Sequence, residues 1–223
     1  MANLPAGHTQ RVESFLKKVI TARGRIAFII DATGSRERAW DTAAQLQGEM
    51  FSEAGKFGTL EMQVTYFGGL NNVVSSGWTG DARELQHFMG RVRCETGHTK
   101  YARALAHVRD EHRRQPINAV ILIGDMLEEE PRTLYDAAGG LGTPYFCFQE
   151  GDDFHQPETL ALGEAFQEMA RLTKGAYCAF NPNAIAQLRE LLRAVAAFAV
   201  GGLTALSDLR SDAARKLLGQ MKK

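Results

Sequence analysis

What this sequence has little of narrows the field first. Its three cysteines, Cys94, Cys147 and Cys178, stand far apart and include no Cys-x-x-Cys pair. That excludes a disulfide framework and a zinc knuckle, and fits a reducing compartment. Neither sign of charge is in excess, since Lys plus Arg and Asp plus Glu are both 26. No global field therefore favours nucleic acid or an anionic membrane. A glycine-rich phosphate loop is missing, as is an Asp-x-Asp-x-Thr motif. The first ten residues have neither the basic nor the apolar region of a signal peptide, so a cytoplasmic protein is expected. The most apolar later stretch, Leu191 to Leu206, is interrupted by Arg193 and by Gly201-Gly202, and reads as too short to span a bilayer.

What is there is an ordinary globular composition, 44% apolar and 23% charged, over 223 residues, enough for one domain with appendages. Five apolar residues, Ile26 to Ile30, end abruptly in Asp31, and a short run of that kind reads as a strand buried on both faces. Further strands are expected over Leu60–Phe67, Val73–Ser76, Ile117–Ile123, Thr143–Phe148 and Ala176–Phe180. Helical spacing predicts helices over residues 9–20, 36–55, 81–92, 131–138, 158–173 and 183–200, and the stretch from Arg93 to Leu105 reads as a loop feeding a further helix that ends near Arg114. Past Gly201-Gly202, an amphipathic helix is expected over Leu203–Met221. The few residues between the second and third strands make an antiparallel hairpin at a sheet edge. The alternation predicts a doubly wound α/β fold with a mainly parallel sheet, one antiparallel edge strand and helices on both faces. Right-handed crossovers then place every strand-to-helix loop on one carboxyl rim, where open α/β sheets bind ligands.

Three separated pieces meet on that rim: Asp31-x-Thr33-x-Ser35, Gly97-His98-Thr99 at a helix start, and Asp125 after the second fully apolar strand. Carboxylates and hydroxyls are hard oxygen donors suited to Mg²⁺ or another hard divalent ion. With these residues in place, the chain resembles the von Willebrand factor A family, a Rossmann-like fold, over residues 25–200. Residues 1–24 would then be an N-terminal helical extension, and 201–223 a C-terminal amphipathic helix. The family's metal-ion-dependent adhesion site, carried over residue by residue, falls on Asp31, Thr33, Ser35, Thr99 and Asp125. Thr33 stands where the family has Ser, and Met126 follows Asp125 where many members have Gly. The resemblance implies a non-enzymatic interaction domain holding Mg²⁺, Mn²⁺ or Ca²⁺, whose open position takes a Glu or Asp of a partner protein. An intracellular bacterial adaptor is the expected setting, with neither nucleic acid nor membrane as partner. A metal-dependent hydrolase or phosphotransferase on the same rim stays open as an alternative, as does a scaffold that no longer binds metal.

Other groups have bland readings beside the functional ones. Arg36 and Arg38 would surround a partner carboxylate or, more commonly, form a solvated helix face. Glu128-Glu129-Glu130 reads as a solvated loop and the acidic first turn of the next helix. His98 reads as a surface-loop residue, Trp78 as packing at the sheet edge, and Cys94 as an inert thiol. Asp152-Asp153 with His155 reads as a polar turn, and the Leu203–Leu217 stripe as a helix packed on its own domain.

Overall fold

A computed structural model describes residues 24–36, 60–70, 72–151, 156–181 and 185–221. The helices expected over 9–20 and, past Arg36, over 36–55 lie outside the described residues, as do Arg38, Asp152, Asp153 and His155.

The central strand β1 (Gly24–Asp31) is buried along its whole length. Its side chains alternate between two cores, as the two-residue period of a strand requires. Ile26, Phe28 and Ile30 enter one cluster, and Ala27 and Ile29 enter the other. Burying a large aliphatic side chain of this kind is worth about 1.5–3 kcal/mol, so this one strand anchors both layers. It is flanked in parallel by β2 (Leu60–Gly68) and β4 (Ala119–Gly124). Beyond β4 follow β5 (Tyr145–Glu150) and β6 (Ala176–Phe180), also parallel, while β3 (Asn72–Ser75) pairs antiparallel with β2. The six-stranded order is β3-β2-β1-β4-β5-β6. The expected sheet, including its single antiparallel edge strand, is therefore the observed one.

Helices cover both faces. On one side α1 (Ala82–Met89), α5 (Ile185–Asp208) and α6 (Asp212–Met221) pack through Leu85, Met89, Leu191, Val195 and Leu217. On the other, α2 (Tyr101–Arg114), α3 (Pro131–Ala138) and α4 (Pro157–Thr173) pack through Tyr101, Leu105, Leu134 and Phe166. Arg25, at the start of β1, stacks its guanidinium 3.7 Å from the centre of the Trp78 ring, whose indole N–H donates to Glu111 at 2.6 Å. Trp78 thus packs near the sheet edge, as expected.

The C-terminal region bears out one expected break and adds a second. Gly202 interrupts α5 as its sequence suggested: it takes a non-helical φ of +64°, with a helical piece on either side. The further break, not expected, falls at Arg210, which takes a left-handed φ of 51° between α5 and α6. Counted across the Gly202 kink, Ala186–Asp208 is long and apolar enough by composition to cross a membrane. Its apolar side is occupied otherwise: Leu188, Leu191, Leu192, Val195 and Ala199 are buried in the core that β1 and β2 share. The α6 stripe packs on the same core, and Gln220 reaches the outer edge of β6. Its amide accepts from the Tyr177 N–H and donates to the Tyr177 carbonyl, both at 2.9 Å.

A side-chain amide that satisfies two edge-strand groups contributes about 1–2 kcal/mol over the pair. Gln220→Ala is expected to lower the melting temperature by roughly 2–6 °C for a domain of this size, measured by circular dichroism. An unchanged melting temperature would show that water replaces the clamp without loss.

Candidate functional site

Beyond the carboxyl ends of β1 and β4, three loops close into a ring. Asp31 is the last residue of β1 and is fully buried. Its Oδ1 accepts the backbone N–H of Thr33 at 2.8 Å, the local turn that Asp commonly makes two residues ahead. The Thr33 hydroxyl lies 3.1 Å from that of Ser35, and a short 3₁₀ turn (Gly34–Arg36) carries the chain onward. Thr33 is buried while Ser35 is exposed, so this loop offers oxygens from the floor of the site to its mouth.

The second loop, residues 93–100, lies directly on the first. The Glu95 N–H donates to the Ala32 carbonyl at 3.1 Å, and Thr33 forms an isolated parallel bridge to Glu95. Gly97 is needed here because a Cβ on it would sit 2.0 Å from the Gly69 carbonyl oxygen at the end of β2. Thr99, 3% exposed, is bound to the third loop: its hydroxyl accepts the Glu128 N–H and its own N–H donates to the Glu128 carboxylate, each at 3.0 Å. The third loop returns to the first, because a Cβ on Gly124 would stand 3.4 Å from the Cβ of Asp31. Half-buried Asp125 follows Gly124 at the rim.

Asp31 and Asp125 are thus brought into one electrostatic neighbourhood, with Thr33 and Ser35 on the same loop and Thr99 joined through Glu128. Asp31 Oδ2 and Asp125 Oδ1 are both buried and have no hydrogen-bond partner. Burial pushes the Asp31 carboxyl up to about 7, the charge of Asp125 adds to this, and the Arg36 guanidinium opposes it. Among the described residues no three or more His, Cys, Asp or Glu side chains gather in a way suited to a metal. The donor set is two carboxylates and three hydroxyls, an oxygen-only set that fits a hard divalent cation and not a thiophilic one.

Two expectations are corrected. Arg36 is not on a solvated face: it is 2% exposed, and its guanidinium donates to the Asp31 carbonyl and the Glu150 carboxylate. Burial alone would lower its pKa, but the charges of Glu150, Asp31 and Asp125 raise it, so the cation is held firmly charged. The acidic run 128–130 is a loop with Glu128 and Glu130 exposed, as expected, but it supplies no acid to the first turn of α3. Glu129 turns back to α2 and accepts the N–H groups of Tyr101 at 2.5 Å and Ala102 at 3.0 Å. Lys100 at the N-cap of α2 has no side-chain cap of its own, so the helix takes its cap from the next loop. His98 is an exposed loop residue, as expected, with its Nδ1 3.1 Å from Glu128. Sequence reasoning missed the contacts of Glu128, Glu129, Glu150 and Gly124; the glycine that ends an apolar strand carried a local signal of close approach.

No protein-family model matches the sequence. No curated protein matches it either. Solved structures do. The fold is similar to a von Willebrand factor type A structure from Catenulispora acidiphila, 20% identical with a TM-score of 0.64, covering 81% of this chain and 43% of that one. It is similar to the SpRpn10 VWA domain, 12% identical with a TM-score of 0.58, over 74% of this chain and 93% of that one. It is similar also to an aerotolerance-related membrane protein from Bacteroides fragilis, 14% identical with a TM-score of 0.57, over 75% and 96%. The chain spans less than half the length of the first of these. At such identities the likeness is one of fold: the chain has the von Willebrand factor A fold, a Rossmann-like sheet of six strands between two layers of helices.

Two outcomes follow from this geometry. Asp31 binds its proton more tightly in the folded chain than its ordinary value of 3.8 allows, so the unfolded state holds fewer protons between those limits. With divalent ions chelated, stability should therefore fall as pH rises from about 4 to about 7. Asp31→Asn should flatten that slope in urea titrations, and an unaltered slope would mean that Asp31 is not its source. Glu129→Ala should lower stability by about 0.5–2 kcal/mol, the usual worth of a helix cap, read from the same titrations; no loss would show the cap to be redundant.

Proposed function

We propose that this domain is a non-enzymatic protein-interaction module that binds an acidic partner through a divalent cation, Mg²⁺ first and Mn²⁺ or Ca²⁺ as substitutes. Asp31, Thr33, Ser35, Thr99 and Asp125 are the residues that would hold it. The observation that carries this reading is the pair of buried carboxylate oxygens, Asp31 Oδ2 and Asp125 Oδ1, both without a hydrogen-bond partner and close enough for the Asp125 charge to act on Asp31. Uncompensated buried carboxylates are expensive, and a cation offsets that cost. A set with only two carboxylates leaves such an ion electron-poor, so a Glu or Asp from another protein is a strong further ligand.

The surroundings support docking over hydrolysis. Ser35 has the Thr33 hydroxyl as its neighbour, not an imidazole, and His98 faces Glu128. A nucleophile needs an adjacent base, and this rim supplies none in reach of Ser35 among the described contacts. The fold shared with other von Willebrand factor A structures also favours a binding role. A cytoplasmic adaptor, without nucleic acid or membrane as partner, is the setting that this reading takes with it.

Titrating Mg²⁺ and Mn²⁺ into the wild type by calorimetry should give saturable heat that is lost in Asp31→Ala and weakened in Asp125→Asn. Equal heats in all three would overturn the ligand set. Binding should also weaken below about pH 7, where Asp31 is protonated and must release its proton to a cation.

A further inference from the structure

Tyr101 carries a group that its packing does not use. Its ring is fully buried at the first turn of α2, edge-on to Phe67 at 4.7 Å and to Phe166 at 5.6 Å. Phenylalanine would meet every one of those contacts. The hydroxyl adds a polar atom in a dry interior, a burden of about 1–3 kcal/mol when unpaired, and it has no hydrogen-bond partner.

Its position is informative. A Cβ on Gly124 would lie 1.7 Å from the Tyr101 oxygen, so the hydroxyl fills the space that this glycine leaves. The same virtual Cβ is 3.4 Å from the Cβ of Asp31, and Gly124 directly precedes Asp125. Three buried polar atoms without partners therefore share this corner: Tyr101 Oη, Asp31 Oδ2 and Asp125 Oδ1. One is a donor and two are acceptors. Burial first, then the charges of Asp31 and Asp125, raise the phenol pKa well above its ordinary value. The hydroxyl accordingly keeps its proton and can serve those carboxylates as a donor.

We propose that Tyr101 is a positioning residue of the cation site, its single hydroxyl proton donated to the Asp31 or the Asp125 carboxylate when a divalent ion is held there. This rests on the cation reading above. Carboxylates that ligate metals are themselves held by hydrogen bonds, and removal of such an outer partner weakens affinity about 10–100-fold. Gly124 is the matching adaptation, because any side chain there would evict the hydroxyl.

The test is Tyr101→Phe, which keeps the ring and removes one oxygen. Thermal unfolding in EDTA should show stability equal to or above that of the wild type, since a buried unpaired hydroxyl is gone. Calorimetry with Mg²⁺ and with Mn²⁺ should show affinity lower by roughly 10–100-fold. Gly124→Ala, which displaces the hydroxyl by another route, should weaken binding in the wild type and add little in Tyr101→Phe. A cation-induced change in tyrosine absorbance should appear in the wild type and vanish in Tyr101→Phe. Unchanged affinity in Tyr101→Phe beside a binding wild type would overturn this inference alone, as would lowered stability with affinity intact. Absence of binding in the wild type would overturn the cation reading and this inference with it.

Discussion

The structure depends on how it accommodates negative charge at the end of its most buried strand. Asp31 terminates a strand with no exposed residue, and Asp125 and Glu150 end the neighbouring positions of the same sheet. These three carboxylates act on one buried cation, Arg36. Removing one partner of a buried ion pair typically costs about 3–5 kcal/mol, so Arg36 and Glu150 hold the turn after β1 in place. Burial, with the charge of Asp125 added, lets Asp31 hold a proton up to about pH 7 against the opposing charge of Arg36.

Much of the fold was legible because its strands are buried on both faces. Runs such as Ile26–Ile30 and Val120–Ile123 have no polar face to confuse with a helix, and their ends are marked by Asp31 and by Gly124-Asp125. The hairpin to β3 was readable from Gly68-Gly69 and Asn72, where only a turn fits the short connection. Of the candidate site, the residue types and their order along the rim were legible. Their contacts were not. Arg36 and Glu150 are 114 positions apart, and only the sheet order brings them together.

Local rules also misled where a neighbouring element took a residue over. Glu128 to Glu130 precede α3 and suit its first turn, yet Glu128 and Glu129 bind the loop and helix start around Thr99 and Tyr101. The unfilled cap at Lys100 was the hint, since orphan N–H groups must find an acceptor somewhere. At the C-terminus the break at Gly202 was legible from its glycine pair, while the second break at Arg210 carried no such signal.

The Gln220 clamp has a consequence for the whole sheet. A side-chain amide is chemically a peptide group, so at Tyr177 it stands in for one residue of a seventh strand. The opposite edge, β3, is only four residues long and half exposed. Short or covered margins deter backbone pairing with other chains. Growth of the sheet sideways is thereby discouraged at both borders, so the sheet is closed to a further strand by a side chain at one margin and by shortness at the other.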